Sequence, residues 1–217
     1  MKLEYALYDI STNDNEIKDN IIKACSYPIS SISVFPQYIK LAKSLITSDI
    51  KISSPVDYPL GSLDQKSRLS SIDYAIKNGA KIIELLTPNY ILCNKKYDKL
   101  RDDIKNTMAL CNENDVELRY ILEYRIFTYE LLYKVAQILF SHGIKTIYPS
   151  SGYSLDDIND NILASALILK KVPEINIICN GNIWNSNQVS AVQKAELYGV
   201  KVNSINALNL LSKNIAK

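Results

Sequence analysis

Three stretches decide the fold: DYAIKNGAKIIELL (Asp73–Leu86), AQILFSHGIKTIYP (Ala136–Pro149) and AELYGVKVNSI (Ala195–Ile205). Each runs from an amphipathic helical pattern through a glycine, an apolar residue and a lysine into a β-rich run. Gly79, Gly143 and Gly199 are placed where a helix needs a closing residue of positive φ. Recurrence of this unit is the signature of βα repeats.

Outward from these stretches, apolar or β-branched runs fall near 3–9, 30–35, 50–54, 81–86, 117–122, 145–148, 175–179 and 201–204. Helical patterns fall between them, near 15–26, 36–46, 64–78, 97–113, 129–141, 155–171, 187–198 and 206–214. Ser62 with Gln65, Ser154 with Asp157, and Asn185 with Gln188 predict helix starts. No linker or composition break divides residues 1–217. The expected fold is an α/β protein, a single-domain (β/α)8 TIM barrel, with an open doubly wound sheet as the competitor. No G-x-G-x-x-G or P-loop follows a strand, which weighs against that competitor.

Composition narrows the class. Over 217 residues, 25 Lys plus Arg face 23 Asp plus Glu, and 47% of residues are hydrophobic. That balance excludes a disordered chain and gives no electrostatic reason to expect nucleic acid. No apolar run approaches a membrane span, and MKLEYALYDI lacks a signal-peptide core, so the expected location is cytoplasmic. Cys25, Cys93, Cys111 and Cys179 have no metal or redox spacing, so reduced thiols are expected, with no metal and no cofactor. The single histidine, His142, is expected at a helix end.

In such a barrel the active site lies at the C-terminal ends of the strands, on side chains of inward parity. IIELL places Glu84 in an apolar frame, and ELRYILEY gives Arg119 and Glu123 one parity. A charge there demands a partner, and Glu84 with Arg119 across the barrel is the expected pair. Asp9 ends the first strand and Tyr148 the sixth. Cys179, Asn180, Gly181 and Asn182 end the seventh.

These residues resemble the deoxyribose-phosphate aldolases, which cleave their substrate through a lysine Schiff base. The resemblance rests on SISVFPQYIKLAKSLI (Ser31–Ile46), on DYPLGSLDQKSRLSSIDYAIKNGAKIIELL (Asp57–Leu86) and on LRYILEYRIFTYELLYKVAQILFSHGIKTIYPSSGY (Leu118–Tyr153). It implies that Asp9, Glu84 and Arg119 stand at the family's polar positions. It also implies ligand-binding roles for Ser33, Ser150, Ser151, Gly152, Asn180, Gly181, Asn182, Asn203 and Ser204.

The departures are chemical. The family's Schiff-base lysine opens K-T-S-T-G-F, and the matching position here is Tyr148. Its second lysine opens K-A-S-G-G, and the matching position is Ile178. Lys145, three residues before Tyr148, has the wrong parity. Tyrosine and arginine cannot form an iminium ion. The phosphate-loop glycines are also thinned, with Asn182 and Asn203 in their places.

The leading expectation is therefore a small-molecule ligand, a sugar or sugar phosphate or another carbonyl metabolite, bound without Schiff-base chemistry. Glu84 and Tyr148 are its acid–base candidates, with Asp9 and Arg119 converging on them. A working lyase using a different lysine, and a non-catalytic interaction barrel, are the alternatives. No nucleic acid and no membrane are expected as partners. The 15 tyrosines would mark a homodimer interface if they clustered on outer helices, and Trp184 either lines the mouth or packs on the next helix.

Overall fold

Helices start and stop on local chemistry. Asn13 and Glu16 form a reciprocal capping box before α1 (Asp14–Ala24), and Asn185 with Gln188 does the same before α8 (Ser186–Lys194). Asp64, Thr128 and Asp157 cap α3 (Gln65–Asn78), α6 (Tyr129–Ser141) and α7 (Ile158–Leu169). The cap of α3 is thus Asp64 rather than Ser62. Ser154 lies outside the described residues, and Asp157, its expected partner, is itself the cap. Gly79 and Gly143 close α3 and α6 with φ of 114° and 92°. His142 is the C-cap of α6, its Nδ1 2.8 Å from the Ile138 carbonyl oxygen.

Gly199 departs from the expectation. It opens a strand, and Glu196, with φ of 49°, takes the left-handed turn. Glycine is needed at 199 for space, because a Cβ would lie 3.1 Å from the Lys2 carbonyl oxygen and 3.2 Å from Ile178 Cγ1.

The computed structural model describes residues 1–153 and 157–215. Its strands are β1 (Lys2–Leu7), β2 (Ser31–Val34), β3 (Lys51–Val56), β4 (Ile82–Leu86), β5 (Glu117–Ile121), β6 (Thr146–Tyr148), β7 (Asn176–Asn180) and β8 (Gly199–Val202). They pair in parallel in chain order, and β8 pairs with β1 to close the barrel. The remaining helices are α2 (Ile39–Leu45), α4 (Asn89–Cys93), α5 (Tyr97–Glu113) and α9 (Ile205–Ile215). This is the (β/α)8 barrel. Among the described residues no helix is long and apolar enough to cross a membrane.

Alternation along each strand splits the core. One set of side chains, including Leu3, Tyr5, Ile32, Ile83, Leu85, Leu118, Ile147 and Val200, packs outward under the helices. The other faces the barrel axis, where a small apolar cluster of Leu86, Ile121, Tyr148 and Ile178 is capped by Tyr58. Two residues earlier on β4 and β5, Glu84 and Arg119 put charge into the same interior.

A second buried polar network fixes the outside of the mouth. Arg68 of α3 bonds Asp57 Oδ2 at 2.5 Å, both carboxylate oxygens of Asp103 on α5 at 3.1 and 3.0 Å, and the Leu86 carbonyl at 2.8 Å. The other Asp57 oxygen accepts the backbone N–H groups of Ser62 and Leu63 at 2.8 and 3.0 Å. Arg68 thereby ties the loop that carries Tyr58 to the helical layer.

Candidate functional site

The barrel interior holds a charged cluster. Arg119 Nη1 donates to Glu4 Oε1 at 2.7 Å and to the Tyr148 hydroxyl at 2.8 Å, and its Nε donates to Glu117 at 2.7 Å. The Tyr148 hydroxyl donates in turn toward Glu4 Oε2 at 3.0 Å and Glu84 Oε1 at 3.3 Å. Lys201, from β8, forms a close ion pair with Glu84 Oε1 and lies 3.8 Å from Glu4 Oε2. Its Nζ also sits 4.0 Å from the centre of the Tyr148 ring. Held by charge contacts rather than by an aligned hydrogen bond, the Lys201 amine has no solvent exposure.

This arrangement corrects the expected Glu84–Arg119 pair. The two are strand neighbours in register rather than opposed across the barrel, and each takes another partner. Lys201 and Glu4 went unrecognised, although GVKVNSI and KLEYAL carry the same signal as IIELL, a charge of inward parity in an apolar strand.

Electrostatics follows from burial. Burial alone would raise the Glu84 carboxyl, but the Lys201 ammonium and the Tyr8 and Ser53 hydroxyls outweigh it and hold the group below the usual carboxylate range. Burial, reinforced by the Glu4 and Glu84 carboxylates, pushes the Tyr148 phenol well above its ordinary value. Tyr148 therefore stays protonated and acts as a hydrogen-bond donor.

Tyr8 roofs this cluster. Its hydroxyl bonds Ser33 Oγ and donates to Glu84 Oε2 at 2.6 Å. Its ring packs on Phe35 and Tyr58, with centroids 5.4 and 4.9 Å away, and Tyr58 meets Tyr153 at 6.0 Å. Tyr8, Tyr58 and Tyr153 gather at the barrel mouth. On the outer helices Tyr129 and Tyr133 make a stacked pair on α6.

Above Tyr8 lies a cavity of about 480 Å³. Tyr8, Tyr58 and Tyr153 give it aromatic walls, and Ser151, Asn180 and Asn203 give it neutral hydrogen-bonding groups. Gly152, with φ of 72°, makes room for Asn180, whose amide atoms a Cβ would meet at 2.8 Å. Asp9 is on the rim. It is exposed and accepts from the Ser11 backbone N–H at 2.9 Å and hydroxyl at 2.6 Å, and those donors hold its carboxyl below the ordinary value.

The structure thus brings Glu84, Arg119 and Tyr148 together but leaves Asp9 outside their cluster. The inward place at the end of β1 is filled by Tyr8 instead. Ser33 belongs to the roof. Ser150 is buried behind the wall, its hydroxyl 3.2 Å from the Asn180 carbonyl oxygen. Gly181 and Asn182 do not line the cavity; Gly181 N–H bonds the Lys201 carbonyl at 3.4 Å and Asn182 bridges to Asp157. Ser204 caps α9 through Ala207 N–H at 3.1 Å. Trp184 is exposed in the β7–α8 loop, away from the cavity.

No family model matches the chain. Individual relatives do. A deoxyribose-phosphate aldolase of Mycoplasmopsis pulmonis is 23% identical over 216 residues, 99% of this chain and 96% of the relative. The enzyme of that name from Metamycoplasma arthritidis is 29% identical over 141 residues, 64% of each chain. Among solved structures, a putative deoxyribose-phosphate aldolase from Coccidioides immitis superposes with a TM-score of 0.85 at 15% identity, covering 98% of this chain and 84% of that one. An aldolase designated QR15 gives 0.81 at 18% identity, with 98% and 91% covered. At such identities the structural likeness speaks for the fold.

Proposed function

We propose that the chain is a divergent member of the deoxyribose-phosphate aldolase family and that it binds a small sugar-like or carbonyl metabolite at the barrel mouth without Schiff-base chemistry. One observation carries the reading. The two positions where the family resemblance expects amines are Tyr148 and Ile178, and the interior amine that is present, Lys201, is paired with Glu84 beneath Tyr8. Iminium formation needs an amine that is neutral and reachable. The Lys201 amine is fully buried and does not line the cavity, whereas Tyr8, which bonds its partner Glu84, does.

Within this reading Glu84, Arg119 and Tyr148 form a rigid polar support beneath Tyr8; fully buried and not lining the cavity, Glu84 and Tyr148 do not reach a ligand there as the acid–base pair the sequence suggests. Ligand contacts come from Asn180, Asn203, Ser151 and Asp9, which line the cavity. We place the protein in the cytoplasm, in keeping with its free thiols.

A second reading has its own observation. Lys201 lies beside Glu84 and Tyr148, so displacement of Tyr8 would bring an amine, a carboxylate and a phenol to a carbonyl substrate at once. The chain would then be a carbon–carbon lyase with its lysine moved to β8.

Borohydride trapping separates the two. The protein is incubated with acetaldehyde or deoxyribose 5-phosphate, reduced, digested and mapped by mass spectrometry. The first reading expects no adduct on Lys201. A stoichiometric adduct there, with retro-aldol turnover, replaces it with the second.

A further inference from the structure

We infer that the mouth cavity is built for an uncharged polyhydroxylated ligand, a free sugar or polyol, and not for its phosphate ester. The inference rests on the reading above that this cavity is the binding site, and it names the ligand's chemical class.

The lining is the first ground. Among the described residues that line the cavity, Asp9 is the one that carries a charge, and the charge is negative. No lysine or arginine is among these described lining residues. The cluster beneath adds no compensating field, since Arg119 and Lys201 stand against three carboxylates, Glu4, Glu84 and Glu117. A phosphate dianion entering here would lose hydration and meet a carboxylate.

The second ground is the state of the backbone donors. Barrels of this kind commonly hold phosphate in the loops after the seventh and eighth strands, on helix N-terminal N–H groups. Here several of those donors are committed within the chain. Gln188 Oε1 accepts Trp184 N–H at 2.7 Å and Asn185 N–H at 3.2 Å, and Asn185 Oδ1 accepts Gln188 N–H at 3.1 Å. Ser204 Oγ takes Ala207 N–H at the start of α9. An acid, Asp157, stands in the same region, accepting Gln188 Nε2 at 3.0 Å.

What the lining offers suits hydroxyl groups and C–H faces. The side-chain amides of Asn180 and Asn203 each donate and accept, the Asp9 carboxylate accepts from adjacent hydroxyls, and the rings of Tyr8, Tyr58 and Tyr153 give apolar faces to a carbon skeleton. A cavity of about 480 Å³ is of the size that encloses a small ligand.

Isothermal titration calorimetry on the full chain tests this with matched pairs: deoxyribose and deoxyribose 5-phosphate, ribose and ribose 5-phosphate, and inorganic phosphate as competitor. The expected result is that the neutral member of a pair binds at least about tenfold more tightly, with no competition from inorganic phosphate. Tighter binding of the phosphorylated member, or displacement by phosphate, overturns the inference while leaving the mouth as the binding site. Binding of neither member of any pair, nor of a wider polyol and carbonyl panel, overturns the proposed function and this inference with it.

Discussion

Lys201 of β8 and Glu84 of β4 form a fully buried ion pair across the axis of the barrel, each reaching from an opposite wall. A pair this deep makes both members depend on each other, because desolvation has already been incurred by the time the charges meet.

Removing one partner should therefore cost more than removing both. Lys201→Met leaves Glu84 ionisable and uncompensated, and is expected to destabilise the fold by about 3–5 kcal/mol. Lys201→Met combined with Glu84→Leu is expected to recover much of that loss. Urea denaturation of both single variants and the double variant measures the coupling. Strict additivity would show that the contact carries no interaction energy.

Acid stability should report the same carboxylate. Glu84 is held below the usual range when folded and returns to about 4.3 when unfolded. The folded state thus binds fewer protons at this site. Its contribution is complete above the unfolded value and is lost as pH falls through the lower folded value. Glu117 shifts the same way, Arg119 and the nearby Lys51 and Lys2 outweighing its burial. The wild-type urea midpoint is expected to fall steeply below about pH 4.3. Glu84→Gln should start lower at neutral pH and fall less steeply on acidification. Parallel curves would remove Glu84 from the account.

Tyr8 is the barrier between the Lys201 amine and the cavity. In the wild type, acetylation by acetic anhydride should reach Lys201 later than the exposed lysines. Tyr8→Ala is expected to raise the Lys201 rate at least about tenfold, by opening the site without global unfolding. Peptide mapping over time reads the rate, and far-ultraviolet circular dichroism checks the fold. Identical Lys201 rates in the two proteins would mean that Tyr8 does not control access.

Arg68 carries the outer network. Arg68→Met strands Asp57 and Asp103, both buried, and is expected to cost about 3–5 kcal/mol. Arg68→Lys should recover little, since one ammonium cannot match a planar fork that bonds two carboxylates and a carbonyl. Loss of ligand binding should accompany either change, because Tyr58 rides on the loop that Asp57 anchors. Chemical denaturation and calorimetry on the same samples test both outcomes. Full stability in Arg68→Lys would show that charge alone suffices.

Much of the fold was legible because its signals are local. A helix ending at Gly79 or Gly143 announces itself within a few residues, as does the capping box of Asn185 and Gln188. Gly199 differs from the local expectation for a physical reason. Its role is set by a neighbouring strand's backbone at Lys2, a contact that no window around it contains. The site was legible in part. Inward parity found Glu84, Arg119 and Tyr148, but Asp9 was expected beside them, and the chain turns it outward while Tyr8 takes the interior.

By itself the sequence determined the alternation of strand and helix, the closure into a barrel, and the absence of an amine at Tyr148 and Ile178. Each of these depends on residue identity and short-range periodicity. Tertiary structure alone decided which charges meet. Strand tilt and stagger in a closed barrel set the height of each inward side chain, and height selects the partner. That is why Glu84 pairs with Lys201, more than a hundred residues away along the chain, and not with Arg119 beside it in register.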